Sequence, residues 1–271
     1  MDPQSDSLSQ HRQKERHYVF GYGSLICAQS RAVSAPTLAD RPSLPVRING
    51  LIRTWNCRCP RPASTFLGVK QMDEKNQTNE NWSCVGILIE VFGDELEALD
   101  KREYGYVREL VSPERITRVD ELLQTQKQPD PYKGTFLDTE ENLAVKTYVW
   151  VYVPEDSFTN QPSAEFPILQ SYVDICMRGC LAISSSFLRE FLSTTRGWHP
   201  MEILELQGIN SEVTCEENGS SVTSPLGAWS DDRHNPIYLR ADREYSMKNA
   251  QHLDLHLEEA MLPLQKVRVR A

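Results

Sequence analysis

The amino-acid sequence predicts an α+β fold in which short buried strands come first and two amphipathic helices follow. The strands are indicated by apolar runs rich in β-branched and aromatic residues, at positions 18–20, 84–92 and 146–153. The helices are indicated by apolar residues at helical spacing, at positions 168–180 and 187–192. Because the strands precede the helices instead of alternating with them, the pattern favours α+β over a parallel α/β sheet.

Length and charge narrow the class of protein further. The 271 residues predict one large domain with an appendage. A formal net charge of -9 argues against binding to a phosphate backbone, and the one basic run, at positions 266–270, is too short to change this. We therefore expect neither a nucleic-acid nor a membrane partner, while the oligomeric state stays open.

Cysteine content and hydropathy predict the compartment. The sequence has seven cysteines without a secretory leader, which indicates reduced thiols, and it lacks an apolar run long enough to cross a bilayer. We expect a soluble, cytoplasmic protein.

Composition also suggests three segments. Residues 1–16 are polar and aperiodic, which predicts a disordered arm, and residues 17–197 form the main domain. A Gly-Trp-His-Pro sequence at 197–200 marks its end, so that residues 198–271 are an extension packing on the domain. Within the extension, positions 229–238 are rich in polar and aromatic side chains that could cover a pocket. Packing of this segment against the main domain is the favoured interpretation.

The remaining elements follow from turn residues and periodicity. Residues 31–45 contain three prolines, which predict an irregular connection after the first strand and its loop. Asn49-Gly50 predicts a hairpin turn or bulge within 46–55, and Pro113 predicts an interruption or a bend in a long strand over 106–117. We further expect a short strand at 66–70, polar loops at 71–81 and 118–146, and an amphipathic helix at 249–262.

The first strand ends in a glycine-rich loop, Gly21-Tyr-Gly-Ser-Leu25. Gly21 and Gly23 permit close approach of a ligand to the backbone, whose N–H groups can hold an anion or a developing oxyanion. A tight turn without a ligand is the alternative. The dinucleotide fingerprint is excluded because Ile26 stands where its third glycine would be. Ser24 lacks the Gly-x-Ser-x-Gly context of a nucleophile and is interpreted as a hydrogen-bonding loop residue.

A short helix at 93–103 carries the second candidate site. Asp94 can cap it, Gly105 can end it, and Leu96, Leu99 and Glu103 share one face. Asp100, Lys101 and Arg102 are predicted to be more exposed. Desolvation would raise the pKa of the Glu103 carboxyl group toward the range that is useful for proton transfer. The alternative is an ion pair with an arginine such as Arg108.

Cysteine and histidine pairs do not predict a metal site. Two cysteine pairs and one histidine pair lack the further ligands of known metal motifs, so we interpret the cysteines as core residues and the histidines as solvated. These pairs are Cys57 and Cys59, Cys176 and Cys180, and His252 and His256.

Taken in order, the Gly-Tyr-Gly-Ser-Leu loop and the Leu-Asp-Lys-Arg-Glu sequence at 99–103, with Tyr106 close behind, resemble the gamma-glutamylcyclotransferase family. The resemblance covers about residues 18–192. It implies a small mixed β-barrel flanked by helices, with the C-terminal appendage outside it. It also implies a reaction without cofactor or metal, in which the α-amino group of a small gamma-glutamyl substrate attacks its own γ-carbonyl and releases 5-oxoproline and a free amine.

The resemblance assigns roles to individual residues. Glu103 would be the catalytic acid and base, and the substrate would be bound by the loop and by a helix tyrosine, namely Gly21, Tyr22, Gly23, Ser24, Leu25 and Tyr172. Two features depart from the family: many members have a polar residue near the position of Leu25, and the polar excursions here are long. A silent gamma-glutamyl-binding or regulatory module and simple amide hydrolysis therefore stay open as alternatives.

Overall fold

The computed structural model describes residues 15–72, 82–119, 146–198, 229–260 and 268–270. In these ranges the strands are β1 Glu15–Gly21, β2 Ser43–Asn49, β3 Leu51–Pro60, β4 Ala63–Gln71, β5 Ser83–Val91, β6 Tyr106–Val111, β7 Ile116–Arg118, β8 Lys146–Pro154, β9 Ile168–Leu169, β10 Thr195–Arg196, β11 Trp229–Asp231 and β12 Arg268–Arg270. The helices are α1 Ala28–Ser34, α2 Glu95–Arg102, α3 Gln170–Ile183, α4 Ser185–Thr194 and α5 Arg243–Glu259.

The strands form two mixed sheets. Their orders are β6-β8-β1-β5-β2-β7 and β10-β3-β4-β9-β11-β12. In the first sheet β1 runs antiparallel to β5 and parallel to β8. The predicted α+β class is confirmed. Among the described strands, however, the closed barrel implied by the resemblance is not found, because both sheets have free edges.

The turn at Gly50 connects a strand of the first sheet, β2, to a strand of the second sheet, β3. Gly50 has φ +71°, so glycine is favoured there, as the sequence predicted. The predicted hairpin is wrong, because β2 pairs with β5 and β7 whereas β3 pairs with β4. Leu44, Val46 and Ile48 are all buried on one face of β2. The chain therefore passes from one sheet to the other at Gly50.

Buried Arg53 joins the two sheets. Its guanidinium, carried by β3, donates to the carbonyl oxygens of Val85 in β5 (2.7 Å), of Tyr22 (3.3 Å) and of Phe191 in α4 (2.6 Å). Its Nε donates to Thr195 Oγ1 at 2.7 Å. These bonds satisfy a cation that is completely buried, and they fix the loop after β1 relative to both sheets.

Other predicted elements differ in extent. β1 begins at Glu15, inside the predicted arm, and residues 1–14 lie outside the described residues. β4 is longer than the strand predicted at 66–70, and Pro113 separates β6 from β7, which lie at opposite edges of one sheet. The predicted loops at 71–81 and 118–146 fall largely outside the described ranges.

The irregular connection predicted from residue 31 is partly wrong. α1 ends at Ser34, and Pro36 begins a single 3₁₀ turn, where proline fits because its missing N–H is not needed. Arg31 of α1 is buried and donates to the carbonyl oxygens of Leu25 (2.6 Å) and Leu38 (2.9 Å). This helix therefore braces the loop that follows β1.

The described part of the C-terminal extension belongs to the same hydrophobic core. Trp229, Tyr238, Leu253 and Leu257 are buried in it. β11 pairs with β9, and α5 begins at Arg243, earlier than the helix predicted at 249–262. No helix in the described ranges is both long and apolar enough to span a membrane.

Asp242 caps α5, and its removal should cost stability. Its Oδ1 accepts from the Tyr245 N–H at 2.9 Å and its Oδ2 from Arg178 Nη1 at 2.7 Å, which together lower the pKa of the Asp242 carboxyl group. Asp242→Ala should lower the free energy of unfolding by about 1 kcal/mol at neutral pH, measured by urea denaturation.

The cap also predicts a pH dependence. Because its pKa is lower in the folded protein, the contribution of the Asp242 charge is present above the unfolded pKa and is lost as the pH falls through the folded pKa. Asp242→Asn keeps a capping oxygen and should cost less than Asp242→Ala. Equal stability of the alanine variant and the wild type would contradict the assignment.

Candidate active site

The loop after β1 presents backbone donors. Residues Ser24–Ile26 form a 3₁₀ turn in which the N–H groups of Ile26 and Cys27 donate to the carbonyl oxygens of Gly23 (3.0 Å) and Ser24 (3.2 Å). The N–H groups of Ser24 and Leu25 precede these bonds and have no acceptor within the turn. An external anion or oxyanion can therefore accept from them.

This loop opens on a cavity of about 30 Å³. The lining residues come from β1 and its loop, β4, the end of α2, β6, β8 and α3, and are Phe20, Tyr22, Gly23, Ser24, Leu25, Leu67, Glu103, Tyr106, Tyr152 and Tyr172. The structure thus brings together six of the seven predicted site residues. The seventh, Gly21, pairs with Ile87 at the end of β1 and is not part of the lining.

Tyr172 of α3 packs directly on the backbone of Gly23. A Cβ atom built on Gly23 would lie 2.7 Å from Tyr172 Oη, which is too close for the phenol to keep its position. The Tyr172 ring meets those of Phe66 and Tyr238 edge-on, with centroids 4.9 and 5.0 Å away. Position 23 therefore needs glycine because the Tyr172 hydroxyl lies so close to the backbone, in addition to the geometry of the turn.

The four lining tyrosines keep their protons. Burial raises the pKa of Tyr22, Tyr106 and Tyr172 well above the ordinary value. The pKa of Tyr152 is also raised, mainly by burial and to a smaller extent by its hydrogen bond to Asp100. Tyr22 Oη donates to the Tyr152 carbonyl oxygen at 2.6 Å, and Tyr106 Oη donates to that of Leu67 at 2.7 Å. The cavity wall is therefore uncharged apart from Glu103.

Glu103 is held by backbone bonds at the C-terminal end of α2. Its N–H donates to the Leu99 carbonyl oxygen at 2.9 Å, and its carbonyl oxygen accepts from the Tyr106 N–H at 3.1 Å. Its side chain is 18% exposed. Glu103 therefore reaches the cavity as the residue that ends the helix, not from a helical face as the sequence predicted.

Arg102 was predicted to be exposed, and this is wrong. Its side chain is 3% exposed and forms an ion pair with the Glu103 carboxylate, while Arg108 pairs with Asp100 at 3.1 Å. Helical geometry pointed Arg102 away from the core, but its guanidinium is covered by contacts with Ser34 of α1 and with the Glu103 carboxylate. The ion pair considered as an alternative for Glu103 thus exists with a different arginine.

The Arg102 guanidinium also connects Glu103 to the loop. It donates to Ser34 Oγ at 2.6 Å and lies 3.5 Å from Ser24 Oγ. Burial, reinforced by the nearby Arg240, lowers the pKa of Arg102 to about 10, so that it is still charged near neutral pH. A charged guanidinium in contact with a carboxylate favours the ionised form of Glu103.

A larger groove of about 170 Å³ adjoins the cavity. Both share Ser24, Glu103, Tyr106 and Tyr172. The further groove residues come from β3, β4 and their connection, α2 and its end, and the C-terminal extension, and are Cys57, Cys59, Arg61, Pro62, Phe66, Arg102, Tyr104, Tyr238, Leu239 and Arg240.

Sequence reasoning missed most of the groove. The one signal was the dense polar and aromatic sequence at 229–238, which reaches the groove through Tyr238.

Burial raises the pKa of the Cys57 thiol in the groove to about 11, so it is protonated near neutral pH. In the part of the chain that the structure describes, no three His, Cys, Asp or Glu side chains are grouped to hold a metal ion.

Comparison with known proteins gives only distant similarities. No family model matches the chain, and no curated protein matches its sequence. A solved gamma-glutamyl cyclotransferase is 12% identical with a TM-score of 0.43, covering 65% of this chain and 86% of its own. An uncharacterised human protein is 12% identical with a TM-score of 0.42, covering 66% and 87%.

A yeast gamma-glutamyl cyclotransferase specific to glutathione is 14% identical with a TM-score of 0.30, covering 66% of this chain and 86% of its own. The chain is therefore similar to gamma-glutamyl cyclotransferase structures at low identity. Because these three TM-scores all lie below 0.5, the likenesses do not assign an activity.

The close approach at Gly23 predicts a loss of activity in Gly23→Ala. The added methyl group must displace the Tyr172 phenol, which lines the cavity, and a displacement of about 1 Å in an active site can cost about 100-fold in rate. We expect this loss in kcat/KM for a reaction catalysed in this cavity. Ala63→Gly, at an exposed position of β4, is the control, and unchanged kcat/KM in Gly23→Ala would contradict the role of the loop.

Proposed function

We propose that this protein is a gamma-glutamyl cyclotransferase that releases 5-oxoproline and a free amine, amino acid or peptide from a small gamma-glutamyl compound. The observation that carries the proposal is one cavity lined by both the Gly23–Leu25 loop and Glu103. Backbone donors and an ionisable carboxyl group, facing the same space, are the two functions that intramolecular acyl transfer requires.

The reaction needs positioning more than it needs a nucleophile from the protein. The substrate's α-amino nitrogen attacks its own γ-carbonyl carbon, a five-membered ring closes, and the bond from that carbon to the leaving nitrogen breaks. Since both reacting groups belong to one molecule, holding the glutamyl chain in its folded conformation supplies a large effective molarity. The tyrosine-lined cavity shields that conformation from water.

Glu103 would move the proton between the two nitrogens. In the ionised form favoured by Arg102, its carboxylate accepts a proton from the substrate's α-ammonium group, and it then returns a proton to the leaving nitrogen. The N–H groups of Ser24 and Leu25 would stabilise the substrate's α-carboxylate or the oxyanion formed on the γ-carbonyl. The hydroxyl groups of Tyr22, Tyr106 and Tyr152 donate their protons within the protein, so they leave acceptor oxygens at the cavity wall without adding charge.

The two connected spaces suit the two parts of such a substrate. The inner cavity of about 30 Å³ has room for about two water molecules, so one polar end of the glutamyl group would replace them there. The leaving group would extend into the larger groove. Glu103 lies at the junction, where the bond to the leaving nitrogen breaks.

A product assay with purified protein tests the proposal. The protein is incubated with gamma-glutamyl amino acids, gamma-glutamyl amines and glutathione, and products are identified by mass spectrometry. 5-Oxoproline is expected. Glutamate in its place would indicate hydrolysis, and calorimetric binding without any product would indicate a silent binding module; either result would overturn the proposal.

A further inference from the structure

Among the residues that line the groove, the charged ones are mainly cations. Arg61, Arg102 and Arg240 line it, and Glu103 is the one carboxylate among the lining residues. The Glu103 charge is already matched by Arg102. The groove therefore has an excess of positive charge, although the whole chain has a formal net charge of -9.

Arg240 is the cation best placed to meet a ligand. It is half-buried, and its Nη1 donates to the phenol oxygen of Tyr238 at 3.0 Å. Within the described ranges it forms no ion pair, whereas Arg102 is occupied by Glu103 and Arg61 is exposed. Its guanidinium is thus held at the groove with donor groups to spare.

The segment that carries Arg240 is firmly anchored. Buried Asp232 accepts from the N–H groups of Ser171 and Ile237, both at 2.8 Å, and from Ser171 Oγ at 2.6 Å. Tyr238 is buried against Tyr172, and a turn closed by the Ala241 N–H and the Tyr238 carbonyl oxygen (3.0 Å) follows it. Arg240 lies inside that turn, so its backbone is positioned before any ligand binds.

Two like charges lie near each other in this groove. Arg240 is close enough to Arg102 to contribute to the lowered pKa of the Arg102 guanidinium, after burial. An anion bound beside Arg240 would relieve this repulsion, and a carboxylate suits the planar, forked donor set of arginine.

We propose that Arg240 binds a carboxylate on the leaving group, so that the preferred substrates are gamma-glutamyl amino acids or peptides and not gamma-glutamyl amines that lack a carboxylate. This inference rests on the proposed function and refines it. It makes Arg240, from the C-terminal extension, a specificity-determining residue at the site formed by the first strand and α2.

The experiment compares two substrates that differ only in this charge, gamma-glutamyl-alanine and gamma-glutamyl-alaninamide. We measure kcat/KM for 5-oxoproline release with the wild type, Arg240→Gln and Arg240→Lys. Arg189→Gln, at an exposed position of α4 outside the groove, is the control. Thermal unfolding of each variant confirms that it is folded.

The wild type should prefer the carboxylate substrate about tenfold, as expected for one charge-assisted hydrogen bond to a partly solvated group. Arg240→Gln should lose this preference, because KM for gamma-glutamyl-alanine should rise about tenfold more than KM for gamma-glutamyl-alaninamide, and Arg240→Lys should keep part of it. Arg189→Gln should behave as the wild type.

The possible failures are distinguishable. If the wild type releases 5-oxoproline from both substrates equally, or Arg240→Gln changes both reactions by the same factor, the inference is wrong and the proposed function stands. If the wild type releases 5-oxoproline from neither substrate, the proposed function fails and the inference fails with it.

Discussion

Glu103→Gln should lower kcat for the proposed release of 5-oxoproline by about 1000-fold. The amide keeps the size of the side chain but cannot accept the proton of the substrate's α-ammonium group, and general acid–base catalysis contributes about 10²–10⁴-fold. Binding should persist, because the Ser24 and Leu25 N–H groups and the tyrosine wall are unchanged. Steady-state kinetics measures the first effect, and calorimetry with a gamma-glutamyl substrate measures the second.

Glu97→Gln is the matched control for this prediction. Glu97 lies on the exposed side of α2, so the same chemical change there should leave kcat within about twofold. The Arg102 guanidinium loses its partner in Glu103→Gln, so the thermal midpoint is measured as well. A folded Glu103→Gln variant with wild-type kcat would remove Glu103 from the mechanism.

Arg233→Leu should lower the free energy of unfolding by about 3–5 kcal/mol, as expected when one partner of a buried ion pair is removed. The Asp174 side chain is 0% exposed and that of Arg233 is 4% exposed, with Asp174 Oδ2 and Arg233 Nε 2.8 Å apart. Arg233 also pairs with Asp254 at 2.9 Å, but the Asp254 side chain is 24% exposed and can turn to water. Urea denaturation measures the loss.

The pH dependence of Arg233→Leu identifies its cause. Burial already raises the pKa of Asp174, and loss of the guanidinium removes the main opposing effect. In the variant, folding should therefore require Asp174 to take up a proton at neutral pH. A group whose pKa is raised in the folded state contributes less stability as the pH rises above its unfolded pKa. The loss of unfolding free energy in Arg233→Leu should therefore be smaller near pH 4 than at pH 7.

Two further variants separate the ion pair from simple loss of an arginine. Arg243→Leu changes an exposed residue of the same segment and should cost less than about 1 kcal/mol. In the double variant Asp174→Leu with Arg233→Leu, no buried charge is left unpaired, so much of the stability should return. If the double variant is less stable than Arg233→Leu alone, the unpaired carboxylate is not the cause of the loss.

These two predictions concern different parts of one site. Glu103 lies where the sequence already placed a candidate acid, whereas the Asp174–Arg233 pair was not anticipated. The pair joins α3 to the segment that ends in Tyr238 and Arg240, so it supports the outer wall of the groove. Partial loss of this anchor should therefore weaken recognition of the leaving group before it affects the proton transfer at Glu103.

The sequence by itself determined the features that depend on local pattern. The buried strands β1, β5 and β8 and the helices α3 and α4 follow from apolar periodicity, and the short helix before Gly105 follows from its capping residues. Glycine placement predicted the turn after β1, and Glu103 was predicted close to the end of that helix. These signals are reliable because backbone conformation and the burial of one face are set by neighbouring residues.

The tertiary structure decided what depends on distant partners. The turn at Gly50 is compatible with a hairpin and with a change of sheet, and β5 and β4 select between them by pairing with β2 and β3. The Arg102 side chain is covered because it contacts Ser34 and Ser24, and Arg240 reaches the groove because Asp232 and Arg233 attach its segment to α3. The side-chain contacts of Arg102 with α1 and with the loop, and those between α3 and the Arg240 segment, join residues 59 to 78 positions apart. Local pattern carries no information about such contacts.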